Sequence, residues 1–274
     1  AVIEQGMPEL CAAAAHTAAG SDAAAHAIMT TDTVKKELAV ETVIGGKTVR
    51  MGGIAKGSGM IHPNMGTMLC FLTTDCAISS EMIKSALLET VQVSFNRISV
   101  DGDTSTNDTC CVLANGLAGN PVITEKGPDY DAFVEALRAL CVELAKKMAS
   151  DGEGATHLIT CTVTGAGSEQ SAETVAKSVI GSALTKAAIF GADANWGRVL
   201  CAMGYSKAPF RPEHVDVSFC SQAGSILVCK QGDGVDFDED KAKTILTEKE
   251  VIIDVDLHEG DEAAECWGCD LTYD

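Results

Sequence analysis

The stretch from Asp129 to Ala166 changes its hydrophobic period once, and that change limits the fold more than any other feature of the chain. In DYDAFVEALRALCVELAKKMASDGEG, Phe133, Leu137, Leu140, Cys141 and Leu144 recur at three- and four-residue intervals, which places them on one face of a helix. Asp129 and Asp131 suit the positive end of that helix, Lys146 and Lys147 suit its negative end, and Gly152 stops it. ATHLITCTVTGA then alternates apolar and polar residues, the period of a strand with one buried face. SEQSAETVAKSVIGSALTKAAIFG returns to helical spacing as a second helix; HVDVSFC, SILVCK and VIIDVDL alternate again, with DEDKAKTILTE a short helix among them. Strands and helices in mixed order predict the α+β class, with mixed sheets layered with helices.

The first half of the chain fits the same class. MPELCAAAAHTAAGSDAAAHAIMTTDT predicts two short helices that break at Gly20-Ser21, with Ser21 or Asp22 capping the second. Gly45-Gly46 between VETVI and KTVRMGGIA is a hairpin signal. MLCFLTTDCAIS has the length of a buried strand, and SSEMIKSALLETVQVSFN follows as a helix capped by Ser79 or Ser80. RISVDGDTSTNDTCCVLANG reads as a strand, a polar turn and a small-residue segment. Its run from Asp101 to Asp108 lacks the spacing and closing Glu of a calcium loop, leaving a tight loop of Asx turns or an active-site loop. No internal repeat or low-complexity linker divides the chain, which is one large domain or two intimately packed ones. The closing CDLTYD reads as a strand cut short, and with a start at Ala1 the chain reads as a fragment.

Composition restricts function. The net charge is -19, from 39 acidic and 20 basic residues, and no basic stripe exists, which excludes nucleic acid and anionic membranes as partners. An anionic ligand therefore needs a local cationic pocket, and Lys56 and Arg198 are the basic residues inside unusual motifs. Hydrophobic residues make up 46% and aromatics only 4%, so the core is built from small aliphatic side chains and sulfur rather than rings. The 12 cysteines are mostly isolated in apolar surroundings, as small buried hydrophobes in a reducing compartment. CWGC, Cys266 to Cys269, lacks the context of a redox or zinc site and reads as packing. No apolar run spans a bilayer and no leader pattern is visible, so the expectation is a cytoplasmic protein. The six histidines are scattered and suggest no metal site.

One dipeptide raises a chemical question. KGSGMIHPNMGTMLCFLTTD sets Gly66-Thr67 between a proline turn and an apolar run. A threonine hydroxyl becomes a nucleophile when a base takes its proton, and a threonine at a chain terminus carries that base as its own α-amine. Creating the terminus requires scission before Thr67, where a small Gly66 leaves the scissile carbonyl open to attack. A buried threonine following a turn is the alternative that these residues alone leave open. Lys56 by itself could be an exposed loop lysine, and Glu153 a solvated loop carboxylate.

AIMTTDT, GGIAKGSGMIHPNMGTMLCFLTTD, SFNRISVDGDTSTNDT, SDGEGATH, GADANWGRV and CDLTYD occur in this order, and together they resemble the glutamate N-acetyltransferase, or ornithine acetyltransferase, family of arginine biosynthesis. The resemblance runs from Leu10 to Asp274. It implies an N-terminal-nucleophile-like fold and autoproteolysis at Gly66-Thr67. Residues 1–66 would then be the end of an alpha chain, and residues 67–274 a beta chain beginning at the catalytic Thr67. It also implies that Thr30, Lys56, Thr67 and Glu153 bind the amino-acid substrate, and that acetyl passes from N-acetylornithine to glutamate through acetyl-threonine. No metal or organic cofactor is implied; acetyl-CoA is an alternative donor, and the assembly is a dimer of cleaved pairs. Asn195, Trp196, Gly197 and Arg198 match a family signature, read here as a structural motif near the site. The chain departs from the family pattern in three ways. A preceding Thr-Gly oxyanion pair and a C-terminal tail with further substrate contacts fall outside this sequence, so the fragment by itself is expected to be inactive. Gly66 stands where most members have alanine. The other outcomes are an uncleaved structural or ligand-binding module and an N-terminal-threonine amidase.

Overall fold

The computed structural model describes residues 2–62 and 68–273. In chain order the elements are α1 (Val2–Ala13), α2 (Ala18–Ala27), β1 (Lys36–Ile44), β2 (Lys47–Lys56), β3 (Leu69–Thr74), α3 (Ser80–Gln92), β4 (Ile98–Ser99), β5 (Thr109–Ala114) and α4 (Pro128–Ser150). They continue with β6 (Leu158–Ala166), α5 (Glu169–Gly181), α6 (Ala183–Phe190), α7 (Trp196–Tyr205), β7 (Asp216–Ser221), β8 (Gly224–Lys230), β9 (Asp233–Gly234), α8 (Glu239–Leu246), β10 (Glu250–Asp256) and β11 (Glu262–Cys269). The class is mixed α+β with layered sheets and helices.

Four strands form the first sheet, in the order β1-β2-β3-β5. Gly45 and Gly46 take φ values of 54° and 74°, the left-handed pair that a two-residue hairpin turn demands, and they fix the register Ile44↔Lys47. β2 then runs antiparallel to β3, so that Lys56 pairs with Leu69 at the shared end of the two strands. The segment carrying the predicted scission point joins these two residues. β5 lies parallel to β3, with Thr109 beside Leu69. The second sheet has the order β4-β11-β6-β10-β7-β8-β9.

Helix α4 lies between the sheets. Phe133, Leu137, Leu140, Leu144 and Met148 pack on Val49, Met51, Ala55 and Leu72 of the first sheet, and the same core reaches Leu158, Trp267 and Cys269 of the second. The opposite face of the second sheet packs Ile159, Cys161, Val163, Val251 and Ile253 against α5, α7 and α8. The layers therefore run sheet, helix, sheet, helix, and the odd spacing of the CWGC pair explains its burial. Cys266 faces the α5 core while Cys269 faces the α4 core, so the two thiols point to opposite sides of β11. Burial pushes the Cys266 thiol up to about 12. Both act as packing residues.

Several boundaries differ from the sequence expectation. Thr17, not Ser21 or Asp22, caps α2: its hydroxyl accepts from Gly20 N at 3.0 Å, so Gly20 lies in the first turn rather than at the break. The second predicted helix is two, because Ser182 adopts extended backbone and its hydroxyl caps α6 through Thr185 N at 3.3 Å. TCCVLA, expected as a small-residue segment, is strand β5. Residues 270–273 of CDLTYD, expected as a strand, are not one. β11 ends at Cys269, and the Asp270 carboxylate turns to accept from Thr156 N and His157 N at 2.8 and 3.0 Å. Ser79 caps α3, and Pro128 opens α4. Among the described residues no helix is long and apolar enough to cross a membrane.

Candidate active site at the shared end of β2 and β3

Gly66 and Thr67 lie outside the described residues, but both flanks of that segment are in place. Lys56 ends β2 with its side chain buried, which removes the exposed-loop alternative. Its Nζ is 3.5 Å from Thr30 Oγ1, a long contact in the exposed turn after α2. Glu153 stands in the turn after α4, where its backbone N donates to Ser58 O at 2.9 Å. Its carboxylate rests against Gly59. A Cβ on Gly59 would come within 2.6 Å of Glu153 Cδ, so any side chain there pushes the carboxylate aside. Thr30, Lys56 and Glu153 thus come from three remote segments to one end of the four-stranded sheet.

A buried ionic bridge underlies them. Lys36 Nζ donates to Asp32 Oδ1 at 2.6 Å and to Asp151 Oδ2 at 2.5 Å, with the Lys36 and Asp32 side chains fully excluded from solvent. Asp32 also accepts from Gly57 N at 2.8 Å and Thr30 N at 3.2 Å. Asp151 accepts from Thr33 N at 3.0 Å and from the Thr33 hydroxyl, and its backbone O accepts from Ser58 Oγ at 2.6 Å. Burial pushes the Asp32 carboxyl up, but the Lys36 ammonium and the two backbone amides more than offset that, leaving it below its ordinary value.

The polar loop from Asp101 to Asp108 is the tight Asx-turn loop that its sequence offered. Its Asx turn closes through Asp103 N to Asp101 Oδ1 at 3.0 Å, and it also braces both flanks of the Thr67 segment. Asp101 accepts from Met60 N at 2.5 Å and Ile61 N at 3.1 Å; Thr104 Oγ1 donates to His62 O at 3.1 Å; Asp108 Oδ1 accepts from Met68 N at 2.8 Å. Burial raises the Asp108 carboxyl above its ordinary value, against the pull of Met68 N and the Lys56 ammonium. Asp108 is therefore a carboxyl held against the amide of Met68, the residue that follows Thr67 in sequence, and within the field of Lys56.

A cavity of about 260 Å³ opens beside Glu153, walled by Asp101, Lys186, Cys269 and Asp270. The Lys186 side chain is buried and its Nζ donates to Val100 O. The Asn195-to-Arg198 motif supports this wall from behind. Asn195 caps α7 through Arg198 N at 3.2 Å, and Arg198 Nη1 donates to Leu184 O of α6 at 2.8 Å. Among the described residues no cluster of three His, Cys, Asp or Glu side chains could hold a metal ion. The arrangement can hold a carboxylate at Lys56 and an ammonium at Glu153.

Asp32, Lys36 and Asp151 did not stand out as site residues in the sequence. Asp32 lies inside the AIMTTDT motif and Asp151 two residues before Glu153, so proximity to known motifs was the available signal.

Fold and site together define a layered α+β protein with a polar site at the end of a sheet, next to a threonine-bearing connection. A profile of the ArgJ family matches residues 1–274, and the chain belongs to that family. It is 52% identical to the arginine biosynthesis bifunctional protein ArgJ of Geobacillus stearothermophilus over 94% of this chain and 62% of that protein. With the protein of the same name from Halalkalibacterium halodurans it shares 49% identity over the whole chain and 65% of that protein. The chain thus spans just under two thirds of the length of these relatives. A crystal structure of the arginine biosynthesis bifunctional protein argJ from Bacillus halodurans superposes with a TM-score of 0.71 at 47% identity, covering 74% of this chain and 94% of that one.

Proposed function

We propose that the protein carrying this sequence is a glutamate N-acetyltransferase of arginine biosynthesis that works through an N-terminal threonine. Its precursor cleaves between Gly66 and Thr67, giving an alpha chain that ends with residues 1–66 and a beta chain that starts with residues 67–274. The observation that carries this reading is the placing of Lys56 beside Leu69, two residues past Thr67, with Thr30 in reach of Lys56 and Glu153 against Gly59, in a chain of the ArgJ family. The relatives' shared name supports the pathway. The crystal structure of the Bacillus halodurans relative supports the fold on which this reading rests.

The chemistry is a ping-pong acyl transfer. Thr67 Oγ attacks the acetyl carbonyl of N-acetylornithine while the Thr67 α-amine takes the hydroxyl proton. The tetrahedral oxyanion collapses, the C–N bond breaks, and the leaving ornithine amine collects the proton. The α-amine of glutamate then attacks acetyl-Thr67, forming N-acetylglutamate and restoring the hydroxyl. Lys56 pairs with the substrate carboxylate, Thr30 adds a hydroxyl contact, and Glu153 pairs with the ammonium of ornithine. The steps draw on no metal or organic cofactor. The proposal extends to acetyl-CoA as a second donor, to a dimer of cleaved pairs, and to a cytoplasmic setting in which the cysteines stay reduced.

The test is intact mass under denaturing conditions together with acetyl transfer from N-acetylornithine to glutamate. Two pieces divided at Thr67 and acetylglutamate formation are expected. A single uncut chain without transfer indicates a ligand-binding module, and acetate release without transfer indicates an amidase; either overturns the reading.

A further inference from the structure

The buried bridge of Asp32, Lys36 and Asp151 has no part in the steps above, yet the segments of Thr30, Lys56 and Glu153 are all tied to it. Asp32 holds the amide of Thr30 and the amide of Gly57, the residue after Lys56. Asp151 lies two residues before Glu153, and its backbone O and the Glu153 amide are joined through the two polar groups of Ser58. Among the described residues Lys36 is the only connection by charge between these halves, at 2.6 and 2.5 Å.

Stability alone is a weak explanation for such a feature. Removing three charges from water costs several kcal/mol each before their attraction is counted, and well-packed apolar replacements of buried ion pairs are often neutral or stabilising. Among the described residues no other Lys or Arg ion pair has both side chains this deeply buried. What the bridge supplies is direction: each carboxylate has its oxygens committed to specific donors, so the backbone at 30, 57 and 151 has one arrangement and little freedom to slide.

We infer that the Asp32–Lys36–Asp151 bridge is the positioning element that sets the span between Lys56 and Glu153, and thereby the length of amino acid that the site accepts. The inference rests on the proposed roles of Lys56 and Glu153. A ligand with a carboxylate at one end and an ammonium at the other is measured by the distance between its two receptors. N-acetylornithine fits one span, and Nα-acetyllysine, longer by a methylene, needs another. Loosening the bridge should let the Glu153 turn drift from the end of β2 and blur this discrimination, with the nucleophile untouched.

The experiment uses the full-length protein with Asp151→Asn, which keeps the shape but places an amide against Lys36, and with Thr33→Val, which deletes a single hydroxyl donor to Asp151. The kcat/KM ratio of N-acetylornithine to Nα-acetyllysine is independent of how much enzyme folds. It should fall roughly tenfold in Asp151→Asn, the worth of about one methylene, and by a smaller factor in Thr33→Val. Combining Asp151→Asn with Glu153→Gln should add no further loss of discrimination. An unchanged ratio in both variants, or full additivity with Glu153→Gln, overturns the inference. Should the wild type transfer no acetyl group, the functional reading fails separately, and a crystal structure of the Thr33→Val protein decides the inference: a changed separation of Lys56 and Glu153 upholds it and an unchanged one overturns it.

Discussion

The two cores of this protein are built on opposite terms. Around α5, α7 and α8 the second sheet buries Val, Ile, Ala, Cys and Met, and among the described residues no ionised side chain is buried between Lys186 and Asp270. Around β2 and the end of α4 the first sheet buries Lys36, Lys56, Asp32 and Asp151 beside an equally apolar interior. One region maximises apolar burial, and the other accepts desolvated charge to hold a site. The difference teaches that function here is read from where the protein departs from ordinary core chemistry.

That contrast can be broken by substitution, and the largest effect is chemical. Thr67→Ala in the full-length protein should abolish self-cleavage and lower transfer by roughly 10³-fold or more, because the covalent route is lost. Melting temperature and transfer rate measured together check it; transfer at wild-type rate in an uncut protein contradicts the nucleophile assignment.

Next is the charge bridge. Lys36→Met leaves two carboxylates buried without a cation and should destabilise by about 3–5 kcal/mol in denaturant unfolding. The bridge also has a pH signature. Asp32 has its pKa lowered from 3.8 in the folded state, so the stability it contributes is present above that value and is lost as pH falls through the depressed folded pKa. Wild type and Asp32→Asn should therefore differ in stability at pH 6 and converge in strong acid. A constant difference across the range would locate the effect in packing instead.

Gly59→Ala should be gentler. The new methyl meets the Glu153 carboxylate, the mobile end of a side chain, so the fold stays while KM for N-acetylornithine rises roughly tenfold, about 1.4 kcal/mol. The smallest effect belongs to the apolar core: Ile253→Val should cost about 0.5–1.5 kcal/mol of stability and leave KM unchanged. A kinetic effect from Ile253→Val would erase the distinction between the two regions.

The fold was largely legible in the sequence where one period dominated. The helix through Phe133 and Leu144, the Gly45-Gly46 hairpin and the alternating strands of the second half all stand where the pattern placed them. Boundaries failed where a single hydroxyl decides: Thr17 and Ser182 cap helices that composition alone would start elsewhere or run together. TCCVLA was missed because a strand half-buried in a small sheet shows neither alternation nor a long apolar run. Of the site, the motifs pointed to Lys56 and Glu153, and folding brought them to one end of a sheet. Lys36 was not legible, since a lysine in an alternating strand looks solvated until the carboxylates from residues 32 and 151 close over it.

The most direct measurement is to incubate the full-length protein with N-acetylornithine labelled in its acetyl group, omit glutamate, and map the label by peptide mass. Label on the Oγ of Thr67, at the first residue of a cleaved chain and discharged on adding glutamate, is the expected result. Label on any other side chain, with Thr67 unmodified, contradicts it.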